Sequence, residues 1–301
     1  LVFAVEAQVR LLDLDATDDP VYGDQEGRHF HGYYDCYCYL PLYIFCGRHL
    51  LAAKLRTSSV DAADGSVAEV ARIIAQIRAR WPATTIVIRA DSGFCRDDLM
   101  TWCEVSDVQY VLGQAGNSRL VRKLTPEMRK ARLRAKRTGQ PARVFADIDY
   151  RTRRSWSTKR RVIGKAEWTN GAANPRFIVT NIHAASGAAR FLYEDGHCQR
   201  GEMENRRKEC QGGLLAARTP APTMRANQLR LWLASFAYVL MCAVRRIGLA
   251  GTKLAAATCG TIRLKLLKIG ALVTISVRRV KLAFASACPE REIFELVARR
   301  L

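Results

Sequence analysis

Acidic residues are scarce in this chain. Its 301 residues include 48 Lys and Arg against 28 Asp and Glu, which gives a formal net charge of +20 and a pI near 9.9. Such an excess of positive charge favours a polyanionic partner, with nucleic acid as the first candidate, and is unusual for an enzyme that acts on small molecules. The hydrophobic content of 49% excludes a disordered chain and is enough to bury a full core.

Long apolar runs and paired cysteines are also missing. The longest nearly apolar run, residues 231–244 (LWLASFAYVLMCAV), is shorter than the roughly 18 to 20 residues of a membrane span, so we expect a buried helix and no membrane. The ten cysteines do not form the CxxC pairs of a structural zinc site, which predicts free thiols in a reducing cytoplasm. No signal peptide is visible, and the opening LVFAVEAQV lacks an initiating Met, which is typical of a fragment.

The charges are unevenly distributed along the chain. Residues 1–114 carry 10 basic and 16 acidic side chains, residues 115–182 carry 18 and 4, residues 183–217 carry 5 and 5, and residues 218–301 carry 15 and 3. This distribution fits a protein in which carboxylates bind cations beside a surface that attracts phosphate.

Hydrophobic patterns predict an α/β domain. Strands are expected over residues 9–17, 37–46, 49–56, 84–94 and 108–113, with helices over 66–81 and 96–104. Three strands, helix, strand, helix, strand is the order of a ribonuclease-H-like fold with a mixed sheet.

We therefore predict four regions. Residues 1–114 form the first part of a ribonuclease-H-like catalytic domain, and residues 115–182 form a basic, mostly β insertion. Residues 183–217 complete the catalytic domain with a helix that carries Glu204, and residues 218–301 form a C-terminal helical region.

Three carboxylates are candidates for the chemistry. Asp13 or Asp15 ends the first strand, Asp91 ends the fourth, and Glu204 lies on the helix after the insertion. Carboxylates that converge at strand ends can hold two Mg²⁺ ions roughly 4 Å apart, with Mn²⁺ as a substitute, and such sites perform phosphoryl transfer. Each carboxylate alone is equally typical of a turn or a helix cap.

The stretch RGEMENRRK places Arg200, Glu204 and Lys208 four residues apart on one helical face, with His197 one turn earlier. This spacing is typical of an exposed ladder of ion pairs, which stabilises any helix. The alternative is a functional surface.

Several motifs resemble those of bacterial insertion-sequence transposases of the DDE type, in the group with the Tyr-Arg-Glu-Lys signature (transposase DDE domain group 1). They are LDLDATDDP, IRADSGFCRDDLMTWCE, RGEMENRRKE, TMRANQLRLW and CGTIRLKLLKIGA, and the resemblance runs from Leu11 to about Ala287.

The resemblance implies a metal-binding catalytic triad of Asp15, Asp91 and Glu204, with Arg200 and Lys208 on DNA phosphate near the scissile bond. It also implies a bacterial, nucleoid-associated enzyme that cleaves and joins the ends of its own element and works as a homodimer on double-stranded DNA. His197 stands where the signature has Tyr, and it can still donate a hydrogen bond to phosphate. Only ten residues precede Leu11, where relatives have a substantial N-terminal region, so the resemblance predicts a truncated copy.

The insertion supplies further candidates for DNA binding, namely Arg153, Arg154, Lys159, Arg160 and Arg161. Trp156 and Trp168 lie among them and could stack on an unpaired base. We favour the alternative, in which the two tryptophans form the core of a β module.

Two other functions remain open from sequence. The order Asp13-Leu14-Asp15-Ala16-Thr17 also matches the DxDxT of haloacid-dehalogenase-like phosphatases, in which the first Asp is the nucleophile. A non-catalytic, DNA-binding remnant of a transposase is the second alternative.

Overall fold

The computed structural model describes residues 9–301. Its strands are β1 (Val9–Ala16), β2 (Asp19–Pro20), β3 (His29–His31), β4 (Cys36–Tyr39), β5 (Leu42–Cys46), β6 (His49–Lys54), β7 (Thr85–Ala90), β8 (Gln109–Gln114), β9 (Ala142–Tyr150), β10 (Arg160–Thr169), β11 (Ala172–Ala173), β12 (Arg176–Thr180), β13 (Ala271–Ile275) and β14 (Val280–Phe284). Its α-helices are α1 (Ser66–Arg80), α2 (Asp97–Val105), α3 (Ser118–Lys123), α4 (Thr125–Thr138), α5 (Ala189–Phe191), α6 (Gly201–Lys208), α7 (Met224–Ala243), α8 (Cys259–Ile262) and α9 (Arg291–Arg300).

The central sheet has the strand order β6-β5-β1-β7-β8 in its first half. Strand β5 is antiparallel to both of its neighbours, β6 and β1, whereas β7 and β8 run parallel to β1. An antiparallel meander followed by parallel crossover strands is the ribonuclease-H-like arrangement, so the predicted fold class is confirmed.

Alternation along β1 separates the two faces of this sheet. Leu12 and Leu14 are fully buried in the core that α1 and α2 cover. Asp13 and Asp15 point to the opposite face, because successive side chains of a strand alternate. Helix α7 packs on that second face, where Tyr238 meets the ring of Phe45 edge-on at 6.0 Å.

The basic segment extends the same sheet. Strand β12 pairs with β8, β10 pairs with β12, and β9 and β11 both pair with β10. Helix α4 packs on this extension through Ala131, which is fully buried. The segment predicted as an inserted module over 115–182 therefore includes two helices and shares a continuous sheet with the strands before it.

One predicted strand, residues 37–46, is two strands in the structure. Pro41 separates β4 from β5, and β4 pairs instead with β2 and β3 in a small second sheet. Proline has no N–H to donate to a ladder, so the chain leaves one sheet and joins the other at this residue.

The C-terminal region contains the predicted helices and a hairpin of β13 and β14 that the sequence analysis did not predict. Helix α7 is less buried than expected, because it exposes Trp232, Leu233 and Phe236 while it buries Leu231 and Tyr238. The helical stretch 224–248 is long and apolar enough to span a membrane by length and composition alone, with 33% of its most apolar window buried in the protein.

Candidate active site

Asp15 lies near the end of β1, on the sheet face that the C-terminal helices cover. Its backbone pairs with Tyr43 of β5, and its side chain is almost fully buried. A carboxylate on this face has lost most of its contact with water. It therefore requires nearby positive charge if it is to remain ionised.

Asp91 follows the neighbouring strand β7. Strands β1 and β7 are parallel, and Asp13 pairs with Arg89. Asp15 and Asp91 each lie two residues further along, so they stand at equivalent positions relative to the two strands. The Asp91 carboxylate accepts a hydrogen bond of 2.8 Å from the backbone N–H of Gly93, so it also shapes the turn after the strand. The functional and turn interpretations of Asp91 are thus compatible.

Gly113 of β8 permits this turn to pack closely. A Cβ atom at Gly113 would lie 2.8 Å from the backbone nitrogen of Ser92 and 3.0 Å from the carbonyl carbon of Asp91. Backbone atoms cannot move aside to make room for a Cβ atom, whereas the end of a flexible side chain can. The absence of a side chain at position 113 is therefore a condition for the position of Asp91.

Arg200, the first of the residues spaced four apart in RGEMENRRK, lies close to Asp15. Arg200 immediately precedes α6, and its guanidinium lies 3.8 Å from Asp15 Oδ1 and 3.7 Å from Glu204 Oε1. One guanidinium thus lies between two candidate carboxylates that are far apart in sequence. Of the predicted ladder, the Arg200–Glu204 ion pair is present, and the same two residues also form part of the site.

Arg207 is a site residue that the sequence analysis missed. Its Nε lies 2.8 Å from Asp15 Oδ2, and its Nη1 donates to the hydroxyl of Thr17 at 2.6 Å. Arg207 lies three residues after Glu204, and the search for residues four apart passed over it. Neighbours on a helical face occur at both three and four residues, so the i+3 spacing was the available signal.

The electrostatics of Asp15 show which charges surround it. Burial raises the pKa of Asp15 to about 6, Arg207 and Arg200 oppose this shift, and the negative charges of Asp91 and Glu204 add to it. Both other candidate carboxylates are therefore close enough to affect its ionisation. Each additional negative charge there makes a bound cation more favourable.

Asp13, the nucleophile of the phosphatase alternative, has a structural role. Both of its oxygens accept hydrogen bonds from Arg89, at 2.6 and 2.8 Å, and the residue is 2% exposed. Arg89 also donates to the carbonyl of Gly196, which ties β1 and β7 to the segment that precedes α6. A carboxylate whose two oxygens are both held in a buried ion pair is unavailable as a nucleophile, which argues against the phosphatase alternative.

A second buried carboxylate lies behind Arg207. Gln211 donates to Asp19 at 2.9 Å and accepts from Arg207 at 2.9 Å, so it links the two side chains. Burial raises the pKa of Asp19 to about 7, Gln211 lowers it, and Asp18 raises it. Asp19 begins β2 and is fully buried.

The predicted DNA-binding residues near the helix differ in their surroundings. Lys208 is exposed at the end of α6. His197 is half-buried, and its pKa is lowered to about 4 by burial and by the charges of Arg200 and Arg89. His197 is therefore neutral at physiological pH and can contact phosphate as a neutral hydrogen-bond donor only.

The basic cluster of the insertion divides into two groups. Arg153, Arg154 and Lys159 are exposed. The prediction is wrong for Arg160, whose side chain is 2% exposed and forms ion pairs of 2.6 Å with Asp97 and Glu104.

Arg161 is also engaged inside the protein. It forms an ion pair with Asp147 at 2.6 Å and donates to the carbonyls of Ile182 and Gly187. These acceptors take up the guanidinium, so a DNA contact by Arg161 does not fit the structure. Trp156 is buried against Tyr150, in agreement with the core interpretation.

Within residues 9–301, no three His, Cys, Asp or Glu side chains stand close enough together, as placed, to hold a metal ion. The guanidinium groups of Arg200 and Arg207 lie within 4 Å of the candidate carboxylates, at 3.8 and 2.8 Å from Asp15 and, for Arg200, at 3.7 Å from Glu204. The donor set of two aspartates and one glutamate fits Mg²⁺ or Mn²⁺, which prefer carboxylate oxygens.

Comparisons with known proteins identify the family of this chain. The family model described as transposase DDE domain group 1 matches residues 3–301. No curated protein sequence matches the chain. Among solved structures, a piggyBac transposase in a synaptic complex with hairpin DNA is similar, with 10% identity and a TM-score of 0.45. The similarity covers 97% of this chain and 57% of that one, so the chain spans little more than half its length.

Proposed function

The chain belongs to the transposase family of DDE domain group 1, and from this premise we propose that it is a DNA transposase. Its reaction would be metal-dependent hydrolysis of phosphodiester bonds at the ends of an insertion sequence, followed by strand transfer. Asp15, Asp91 and Glu204 are the proposed metal ligands and catalytic residues.

The observation that carries this proposal is the position of Arg200. Its guanidinium contacts the carboxylates of Asp15 and Glu204 at similar distances, 3.8 and 3.7 Å. A site that holds a cationic group between two carboxylates has the charge that a divalent cation requires. Asp91 adds negative charge at this position, and this charge contributes to the raised pKa of Asp15.

When bound, Mg²⁺ or Mn²⁺ ions would activate water or a 3′ hydroxyl and stabilise the oxygen that leaves the phosphorus. The protein's part is to keep three carboxylates ionised and fixed. Arg89 ties β1 and β7 to the segment that leads to α6, and Gly113 leaves room for the Asp91 turn. Arg200 and Arg207 lower the pKa of Asp15, so they favour the ionised form that a cation binds.

The proposed substrate is double-stranded DNA, including the terminal repeats and the target. Lys208 and Arg200 would contact phosphate beside the carboxylates, and the exposed Arg153, Arg154 and Lys159 would contact it at a distance. We further propose that two protomers act together on DNA, at the bacterial nucleoid.

The test is cleavage of DNA that carries both ends of the element, taken from the sequence that flanks its gene. We expect cleavage in Mg²⁺ or Mn²⁺ and loss of at least about a hundredfold in Asp15→Asn. Glu202→Gln is the matched control, because Glu202 is an exposed glutamate of the same helix. Cleavage by Asp15→Asn at the wild-type rate would refute the catalytic assignment. DNA binding without cleavage by the wild type would identify a non-catalytic remnant.

A further inference from the structure

Helix α4 is attached to the sheet by small residues on one side and is almost entirely basic on the other. The helix packs on β9 and β10, where Ala131 and Ala135 are buried. The guanidinium of Arg132 lies over the ring of the partly buried Trp168, 5.2 Å from its centroid. Gly139, with a φ of 68°, ends the helix, and its N–H donates to the carbonyl of Ala135. The helix is therefore fixed on the sheet, and its other side is presented to solvent.

The outward side of α4 carries positive charge that the protein does not balance. Four exposed basic side chains form no ion pair or hydrogen bond with any residue of 9–301, and they are Arg129, Arg134, Lys136 and Arg137. Glu127 is the only acidic residue in the sequence of this helix, and it faces Lys130 at 3.7 Å. The four free charges therefore have no counterpart on their own helix.

These positive charges also repel one another. Lys130 and Arg134 are four residues apart and Arg134 and Arg137 are three apart, and like charges at these spacings destabilise a helix. The other acidic residues of segment 115–182 lie on the strands, and they are Asp147, Asp149 and Glu167. A helix with this unbalanced charge is stabilised when it binds a polyanion.

Helical periodicity places the free charges on two flanks of the outward side. Leu133, which is 63% exposed, lies at the centre of this side, opposite the two buried alanines. Arg129 and Lys136 lie on one flank of Leu133, and Arg134 and Arg137 lie on the other. The major groove of DNA is about 12 Å wide, admits an α-helix and has a row of phosphates along each border. A helix with cations on both flanks matches this arrangement.

We infer that α4 binds in a major groove of double-stranded DNA, with its two basic flanks on the phosphates of the two strands. This inference rests on the proposed function, which supplies DNA as the ligand. In the sheet order, β10 is four strands from β1, a distance of roughly 20 Å at the usual strand spacing. Helix α4 also belongs to the core on the sheet face opposite to Asp15. The contact is therefore separate from those proposed for Arg200 and Lys208, and it holds a different stretch of DNA.

Two other polyanions match α4 less well. The major groove of double-stranded RNA is deep and narrow, so a helix cannot enter it. A helix that lies on a membrane surface buries an apolar face in the lipid. The small apolar residues of α4 are turned to the sheet, and Leu133 stands alone among the outward charges.

The experiment measures how salt affects the binding of a labelled blunt DNA duplex of arbitrary sequence by the full chain. Fluorescence anisotropy gives the association constant at a series of NaCl concentrations in EDTA, so that no strand is cut. Each phosphate contact contributes about 0.9 to the slope of log K against log salt concentration. We expect Arg129→Gln and Arg134→Gln, one from each flank, each to reduce this slope by about 0.9 and to weaken binding about fivefold near physiological salt.

Matched variants separate the α4 contact from general effects of charge and folding. Arg80→Gln removes an exposed arginine at the end of α1 and should leave the slope unchanged. Arg134→Lys keeps the charge and should keep the slope. Arg134→Gln should unfold at no lower temperature than the wild type, because it removes a like-charge neighbour of Lys130.

The outcomes distinguish this inference from the proposed function. The wild-type slope in both flank variants would overturn the α4 contact and leave the transposase proposal, which DNA cleavage tests, standing. A reduced slope in only one of the two variants would overturn binding in a groove. Failure of the wild type to bind any duplex would overturn both proposals.

Discussion

The guanidinium of Arg207 lies 2.8 Å from the carboxylate of Asp15, and the two residues are 192 positions apart in the chain. This contact joins α6 to the central strand β1 on the face that carries the candidate active site. It also places a positive charge against the carboxylate that is most buried of the three. A cation that binds Asp15 must therefore compete with a cation that the protein itself supplies.

Replacement of Arg207 should strengthen metal binding. In Arg207→Gln we expect the affinity for Mn²⁺ to rise about tenfold at pH 8, because the positive charge that competes for the Asp15 carboxylate is gone. Isothermal titration calorimetry measures the effect. Arg206→Gln is the matched control, because Arg206 faces Glu202 at 3.9 Å and should leave the affinity unchanged. Weaker binding by Arg207→Gln would show that Arg207 supports the metal site and does not compete for it.

The buried pair of Asp13 and Arg89 should be important for stability. Asp13→Asn leaves the Arg89 charge buried without a full partner, and we expect the free energy of unfolding to fall by about 3 kcal/mol. Urea unfolding followed by circular dichroism measures this change. Asp61→Asn removes one partner of a half-exposed pair with Arg96 and should cost less than about 1 kcal/mol. Similar losses in the two variants would contradict the structural role of Asp13.

Asp19 should make stability depend on pH. Burial raises its pKa to about 7 from an ordinary value of 3.8. Between these values the unfolded chain loses the proton first, so Asp19 favours unfolding increasingly as pH rises, by about 1.4 kcal/mol per unit at most. Asp19→Asn retains an oxygen that can accept from Gln211 and has no proton to lose.

We therefore expect the gain in unfolding free energy from Asp19→Asn to be small at pH 4, to grow up to about pH 7, and to be constant above it. Chemical denaturation at a series of pH values measures the gain. Asp195→Asn, at an exposed position, is the control and should leave the pH profile unchanged. A constant gain at all pH values would contradict the burial of an ionisable Asp19.

Local sequence patterns were sufficient for the first half of the sheet. The strands β1, β6, β7 and β8 each have a hydrophobic stretch that ends in polar or turn residues, and their order is enough to indicate the ribonuclease-H-like fold. The pairing of β12 with β8 was not predicted, because it depends on contacts between residues 63 to 69 positions apart in the chain. The separation of β4 from β5 had a local signal in Pro41, which the strand prediction did not use.

The candidate site was likewise predicted only where local sequence motifs were sufficient. Motifs pointed to Asp15, Asp91, Glu204 and Arg200, yet the contacts of Arg89 and Arg207 were found only in the structure. Arg89 was read as part of a buried strand, and its partner Asp13 is 76 residues away. Arg160 was assigned to DNA by composition, because no local pattern distinguishes an arginine that will meet Asp97 and Glu104 from an exposed one.

The central claim is that Asp15, Asp91 and Glu204 share divalent cations, and Mn²⁺ binding followed by electron paramagnetic resonance tests it most directly. At pH 8 we expect the wild type to bind Mn²⁺ and Asp15→Asn, Asp91→Asn and Glu204→Gln each to weaken binding by about tenfold or more. Glu202→Gln, with its side chain 80% exposed on the same helix, should bind as the wild type does. Wild-type affinity in all three carboxylate variants would contradict the claim.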